Sequence, residues 1–359
     1  MPVTDPAAST LREFPCVQCG AKVEFAPGTH SLRCPYCNAE NEIAPEGVAD
    51  EIDFFATLAA LEQAAPHETV RILRCQTCGA ETSVGPTVTS AACAFCGTPI
   101  VSQIQSQSRV RPNAILPFAV TKDKAVQAFR QWVKSRWFAP NSMKRESLLD
   151  TTLTGVYIPS WTFDTRATTE YRGRRGDAYY VTVGSGNNRR TQRRIRWRPA
   201  AGRVRNVFDD ILVLASRSLP ERHAHSLEPW DTKNVKPYAD EFLAGFHAEC
   251  YTIDLKGGWV LAQRLMDPAI DATIRADIGG DEQQITWKHT VHEGTTFKYV
   301  LLPVWVAAYR HKGKVFQFLV NARTGEVQGD RPYSAWKIAG AVIAGLLVLG
   351  IIALVVLSR

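Results

Sequence analysis

Apolar and polar positions divide the chain into a beginning with little long-range pattern, a middle of strands and helices, and a wholly apolar end. After Thr121, whose hydroxyl can cap a helix, Ala125, Val126, Phe129, Trp132, Val133 and Trp137 recur at steps of three and four until Pro140. This spacing predicts a helix through Phe138 with its tryptophans turned into the core. Strand-like stretches follow at 155–164, 168–172, 178–183, 193–198 and 211–214, with the turn sequence 184–188 between the third and fourth predicting a hairpin. Tyr238, Phe242 and Phe246 predict a helix over 237–248, and 260–278 reads as another, closed by Gly279-Gly280. Strands return at 284–291, 298–309 and 314–321, with a turn at 311–314. Further back, 50–64 predicts a short acidic helix with Phe54, Leu58 and Leu61 on one face, ended by Pro66. The stretch 102–112 is polar and without period, which predicts a linker.

Residues 338–357 are twenty consecutive apolar positions. As a helix they would reach roughly 30 Å, the thickness of a bilayer's hydrocarbon. Trp336 and Lys337 stand at the entry, where an aromatic and a basic anchor belong. The expectation is a single C-terminal transmembrane helix, a tail anchor, in the cell membrane. Arg323, Arg331 and Lys337 on its near side, against Arg359 beyond it, orient the N-terminal body to the cytoplasm. Met1 to Phe14 contains no apolar run, so no signal peptide is expected.

Cysteine spacing changes the picture of the beginning. Cys16, Cys19, Cys34 and Cys37 form one C-x2-C-x14-C-x2-C cluster; Cys75, Cys78, Cys93 and Cys96 form a second with the same spacing. Two thiolates on one tight turn hold a metal from one side, and a second such turn closes a tetrahedron, the geometry Zn2+ takes with sulfur. Two structural Zn2+ sites are therefore expected, although iron satisfies the same four-thiolate cage. The ninth cysteine, Cys250, stands alone and receives no chemistry. The fold class expected is two tandem zinc-ribbon (rubredoxin-like) β modules, then an α+β domain with a mainly antiparallel sheet, then the transmembrane helix. The boundaries are 14–43 for the first ribbon, 44–70 for an acidic linker helix and 71–101 for the second ribbon. The linker 102–112, the α+β domain 113–335 and the anchor 338–357 complete the chain. The α+β domain can contain two related halves, because Val156-Tyr-Ile-Pro159-Ser-Trp161 resembles Val300-Leu-Leu-Pro303-Val-Trp305, although chance accounts for six residues as readily. A proline within a strand calls for an edge or a bulge at both places.

Net charge is +7 and unevenly spread. Residues 38–70 hold eight acids and no Lys or Arg, whereas 166–205 hold twelve Arg against Glu170 and Asp177. A hairpin between Arg166 and Arg205 could meet anionic lipid headgroups, nucleic acid or the acidic segment, or simply be a solvated surface. Catalytic patterns are missing from the sequence: no G-x4-G-K-[ST] and no G-x-S-x-G occurs. His289 and His292, three apart on a predicted strand, face opposite ways, and His223 with His225 lacks a third ligand.

Several stretches resemble one family of bacterial membrane-anchored proteins. They include Leu116-Pro117-Phe118, Arg136-Trp137-Phe138-Ala139-Pro140, Gly155 through Asp164, and Tyr171-Arg-Gly173-Arg-Arg-Gly176. Leu302-Pro303-Val-Trp305 and Asn321 through Ser334 match it again. That family carries N-terminal zinc ribbons and is often catalogued as primosomal protein N′ (replication factor Y), a superfamily II helicase, although the motor motifs are absent here. Its members occur beside flotillin-like SPFH-domain and TPM-domain proteins. The resemblance implies a non-enzymatic, zinc-binding, membrane-anchored adaptor or scaffold with an SPFH-type protein partner. A nucleic-acid-binding zinc-ribbon protein at the membrane is the alternative. No catalytic residue carries over.

Overall fold

The computed structural model describes residues 14–43, 47–63, 69–77, 79–83, 90–93, 95, 98–101, 103–106, 110–141, 153–184, 189–218, 227–311, 314–330 and 333–357. One nine-stranded, mostly antiparallel sheet forms the body. Its strands are β4 (Ile52–Asp53), β10 (Ala114–Ile115), β11 (Thr154–Val183), β12 (Arg190–Leu214), β13 (Lys236–Pro237), β14 (His247–Ala248), β15 (Glu282–His311), β16 (Lys314–Asn321) and β17 (Val327–Gly329). The main path runs β12-β11-β15-β10-β13, with β14 added to β11, β4 and β16 to β15, and β17 to β16. Among the described residues, α2 (Lys122–Ser135) and α3 (Leu255–Ile278) are the longest helices packed on one face. α2 is capped by the Thr121 hydroxyl and buries Ala125, Phe129 and Val133 at steps of four. α3 is capped by Asp254, ends at Gly279, and buries Leu255, Trp259, Ala262, Met266, Ile270, Ile274 and Ile278.

The centre of the sheet is built twice. Short strand, helix, long strand and hairpin return follow one another as β10-α2-β11-β12 and again as β14-α3-β15-β16. The two long strands lie antiparallel with Ile158 opposite Leu302. Each short strand pairs in parallel with the other half's long strand, β10 on β15 and β14 on β11. The hydrogen bonds repeat as well. The Leu116 amide donates to the Leu301 carbonyl as that of Glu249 does to Tyr157 (both 2.9 Å). Ala119 and Val120 donate to Ala322 as Thr252 and Ile253 donate to Ala215. The Trp305 indole donates to the Val120 carbonyl at 2.9 Å, and the Trp161 indole to Ile253 at 3.0 Å.

This arrangement explains the two prolines, which are neither on an edge nor in a bulge. Pro159 sits where β14 leaves β11 and β12 begins, and Pro303 where β10 leaves β15 and β16 begins. Each carbonyl is used, by Ala215 and Ala322 respectively. A residue without an N–H fits the gap between two neighbours at no loss of a ladder bond.

Beyond this centre β11, β12 and β15 run on together as a three-stranded arm, with β11 and β15 each 30 residues long. The sequence pattern broke these strands into pieces at 173–177 and 292–297, where glycines and charges stand. At Gly173 the break is a bulge instead: a Cβ there would lie 2.3 Å from the Gln284 carbonyl, so only glycine lets the strands close. α3 packs along one face of the arm, where the Tyr171 hydroxyl donates to Asp277 and Asn206 to Thr273.

Two further expectations are corrected and a third is extended. The 237–248 stretch is not a helix: Asp240–Leu243 forms a single 3-10 turn, and His247–Ala248 is taken into the sheet. Its aromatic spacing serves tertiary packing, with Phe242 and Phe246 against Phe25 and Phe246 stacked on Phe118. The short helix expected at 50–64 is present as α1 (Phe54–Gln63), and the segment is also tied into the body: β4 pairs with β15 just before α1, and Phe54 is buried against Phe163 and Trp259. In the polar stretch 102–112, β9 (Gln103–Ser106) pairs with β5 (Thr69–Arg74) and belongs with the second cysteine cluster.

Candidate functional site

The first cysteine cluster is held by a small sheet of β1 (Glu24–Phe25), β2 (Ser31–Arg33) and β3 (Glu40–Glu42). Cys16 and Cys34 each begin the same turn: the cysteine amide donates to the carbonyl five residues on, Ala21 or Ala39, and its own carbonyl accepts from Gly20 or Asn38. Gly20 and Asn38 both take positive φ (72° and 57°), which is where glycine or asparagine is tolerated. These turns bring four sulfurs within 4.8 Å of one another. Cys16–Cys37 and Cys19–Cys34 are each 3.5 Å apart, near the ~3.8 Å edge of a tetrahedron with 2.3 Å metal–sulfur bonds. Amides of Cys19 and Gln18 pull the Cys16 thiol down to about 6. At Cys37 the Ala39 amide pulls downward, but desolvation and thiol hydrogen bonds from Cys19 and Cys16 push it up to about 12. Four thiolates crowded together repel unless a cation joins them, and this set could hold a metal ion.

The second cluster repeats the turn. Cys75 donates to Ala80 and accepts from Gly79, whose φ is 76°, and Cys93 donates to Thr98. Both sulfur-bearing residues are buried. Cys78 and Cys96 lie outside the described residues, as do His223 and His225. The two modules rest on opposite faces of the sheet centre, the first beside Phe242 and Phe246, the second beside Val156, Val300 and Leu302.

The arginine run occupies the arm, and its second face is open. Arg166, Arg172 and Arg174 of β11, Arg193, Arg203 and Arg205 of β12, and Trp287, His289 and Val291 of β15 alternate onto that face, all exposed. Arg172 lies over the Trp287 ring and Arg174 over Trp197, 5.4 and 5.5 Å from the centroids. Among the described residues, the run's acidic partners are Glu170, Asp177 and Glu282, all within the arm. Among the described residues the acidic segment's Glu51 instead meets Lys298 at 3.3 Å. His289 faces outward while His292 packs on Trp259, as alternation requires.

Lys298 also lies 2.9 Å from Asp210 and 3.5 Å from Asp164. Asp164, Asp209 and Asp210 cluster closely enough to hold a cation, but the chain's own ammonium already serves that group. Burial pushes Asp164 up to about 6 against the pull of the Asp210 amide and Lys298.

The apolar end forms α4 (Ala335–Leu357), long and apolar enough to cross a membrane, with the window Ala335–Ala353 unburied. Its first turn is hydrogen-bonded to the segment after α2. The Ser334 amide donates to the Phe138 carbonyl at 2.8 Å, and Lys337 Nζ donates to Trp137 and Ala139 carbonyls and to Asn141 Oδ1 at 3.2, 2.8 and 2.8 Å. Of the tryptophans expected in the core, Trp132 packs on Phe318, but Trp137 is 76% exposed beside this root. The only signal for that in the sequence was its place between Arg136 and Pro140, past the end of the helix.

The molecule is thus of a class defined by a four-cysteine module, a twice-built antiparallel sheet with a long basic arm, and a terminal apolar helix. It is similar to the uncharacterized protein YdjG of Bacillus subtilis (strain 168), 28% identical over 229 residues, which are 64% of this chain and 66% of that protein. The similarity therefore spans slightly less than two thirds of that relative's length. No protein-family model matches the chain, and no solved structure matches it.

Proposed function

We propose that the protein is a non-enzymatic adaptor, anchored in the cell membrane by α4, with its body in the cytoplasm and two Zn2+ ions as structural cofactors. The eight cysteines Cys16, Cys19, Cys34, Cys37, Cys75, Cys78, Cys93 and Cys96 would be the ligands. The observation that carries the reading is the open arginine–aromatic face on an arm rooted, through the sheet, at the base of an apolar helix. Six arginines there stand against Glu170, Glu282 and Glu293, which suits an acidic protein surface. The resemblance to the zinc-ribbon family found beside flotillin-like proteins makes an SPFH-domain protein the partner of choice. Crosslinking in intact cells followed by capture of the full chain from membranes tests this. Arg172→Glu with Arg174→Glu should remove the partner while leaving the chain in the membrane fraction. Retention of the same partner by that variant would overturn the docking face. Metal analysis of the folded chain should return two zinc ions.

A second reading, nucleic-acid binding, is favoured by one feature: arginines interleaved with rings on an open sheet face offer stacking and phosphate contacts together. Salt-sensitive retention of single-stranded DNA, lost in the same double variant, would favour it over the protein partner.

A further inference from the structure

We infer that the turn after α2 is a second membrane-contacting element: Trp137 and Phe138, with Tyr333 and Trp336, form an aromatic collar that seats the body in the lipid headgroup layer around the base of α4. The inference rests on the reading of α4 as a membrane span. Its first support is exposure. Trp137, Tyr333 and Trp336 are 76%, 60% and 88% exposed, and Phe138 is 37% exposed. Large rings left in water singly are ordinary, but these four come from two distant segments and meet at one place. Their second support is the clamp described above. Ser334 and Lys337 bind the carbonyls of Trp137, Phe138 and Ala139, so the turn is fixed to the first turn of α4 and cannot be elsewhere when α4 is embedded. Where an apolar helix meets water, aromatic rings and basic side chains are the residues that partition to the boundary. The charge agrees. α2 carries exposed Arg130 and Lys134 in its C-terminal half, the half nearer the collar in sequence, and Asp123 is its single acid, in its first turn. Anionic headgroups attract basic side chains that lie near them.

The arm is a poorer candidate for that contact. Ala307 pairs with Phe318, the residue on which Trp132 of α2 packs, whereas the arginine run begins opposite Glu293. At ~3.3 Å per residue this places its nearest arginine about 45 Å along β15 from the root. Headgroup attraction is screened over about 8–10 Å at physiological salt.

Photo-crosslinking in the full chain tests the collar. Benzoylphenylalanine would replace Trp137, Phe138 or Tyr333, with Leu347 inside α4 and Tyr180 on the arm for comparison. Each variant would be reconstituted in vesicles of phosphatidylethanolamine and phosphatidylglycerol carrying a taggable acyl chain. Adducts to lipid are expected at Leu347, and at Trp137 and Phe138 about tenfold above Tyr180. Adducts at Leu347 with Trp137 and Phe138 no higher than Tyr180 would overturn the collar and leave the anchor standing. No lipid adduct at Leu347 would overturn the anchor and the collar together. Trp137 is exposed, so its replacement does not put folding at risk.

Discussion

The two halves of the body share their interior and differ in their reach. At the sheet centre, Trp161 and Trp305 each donate to a carbonyl just ahead of a helix N-cap, and Pro159 and Pro303 occupy matching gaps. Outward from there the halves diverge. α2 has 14 residues and ends at the anchor root, whereas α3 has 24 and lines the arm. The repeated part is mostly buried among the described residues, and the unrepeated parts carry the basic face at one end and the exposed aromatic residues at the other. Symmetry here marks what holds the molecule together, and its loss marks the two regions on which the proposals above rest.

Breaking the comparison at its strongest point means removing one indole at a time. Trp161→Ala and Trp305→Ala should each destabilise by about 3–5 kcal/mol and by similar amounts, because each deletes a buried ring and an indole hydrogen bond. Urea unfolding of the full chain in detergent reads this, and a large loss from one with none from the other would contradict the repeated centre. Ile274→Ala sharpens it from the other side. Ile274 is fully buried in the part of α3 that has no counterpart in α2, so the loss, about 2–4 kcal/mol, should fall on the arm. Hydrogen exchange should accelerate over 282–296 and stay slow over 298–306. The smallest effect concerns Asp164, for which the other half has Ala308 at the matching place. A carboxyl raised to about 6 when folded favours the folded state most below about pH 4, and that contribution is lost as pH rises to about 6. Asp164→Asn should flatten stability over that window by on the order of 1 kcal/mol, given partial solvent screening. An unchanged pH slope would show that Lys298 and the Asp210 amide fully offset burial.

Local signals in the sequence were sound where one residue decides the structure. Thr121 caps α2, Gly279 ends α3, and the paired turns at Cys16 and Cys34 bring four sulfurs together. They failed where a distant segment decides. Tyr238, Phe242 and Phe246 have helical spacing, but β11 captures His247–Ala248 before a helix can form. Gly173 and Gly176 look like strand breakers, yet in a three-stranded ladder they are the places where neighbours come closest. Trp137 continued the apolar step of α2, and only the position of α4 explains why it stays outside. The second cysteine cluster was legible as a repeat, of which the turns at Cys75 and Cys93 are described.

The exchange of short strands between halves also fixes an order in time. β14 is made after β11 and can join it at once, but β10 pairs with β15, and on the order of 190 residues separate Ile115 from Leu301. At about 5–20 residues synthesised per second, β10 waits about 10–40 s for that neighbour. The first cysteine module is complete by Ile43 and could close on an ion during the delay, so Phe25 is already mounted when Phe242 and Phe246 emerge. Neither half can finish alone, and the ribosome delivers the missing strand of the first only as the anchor is about to follow.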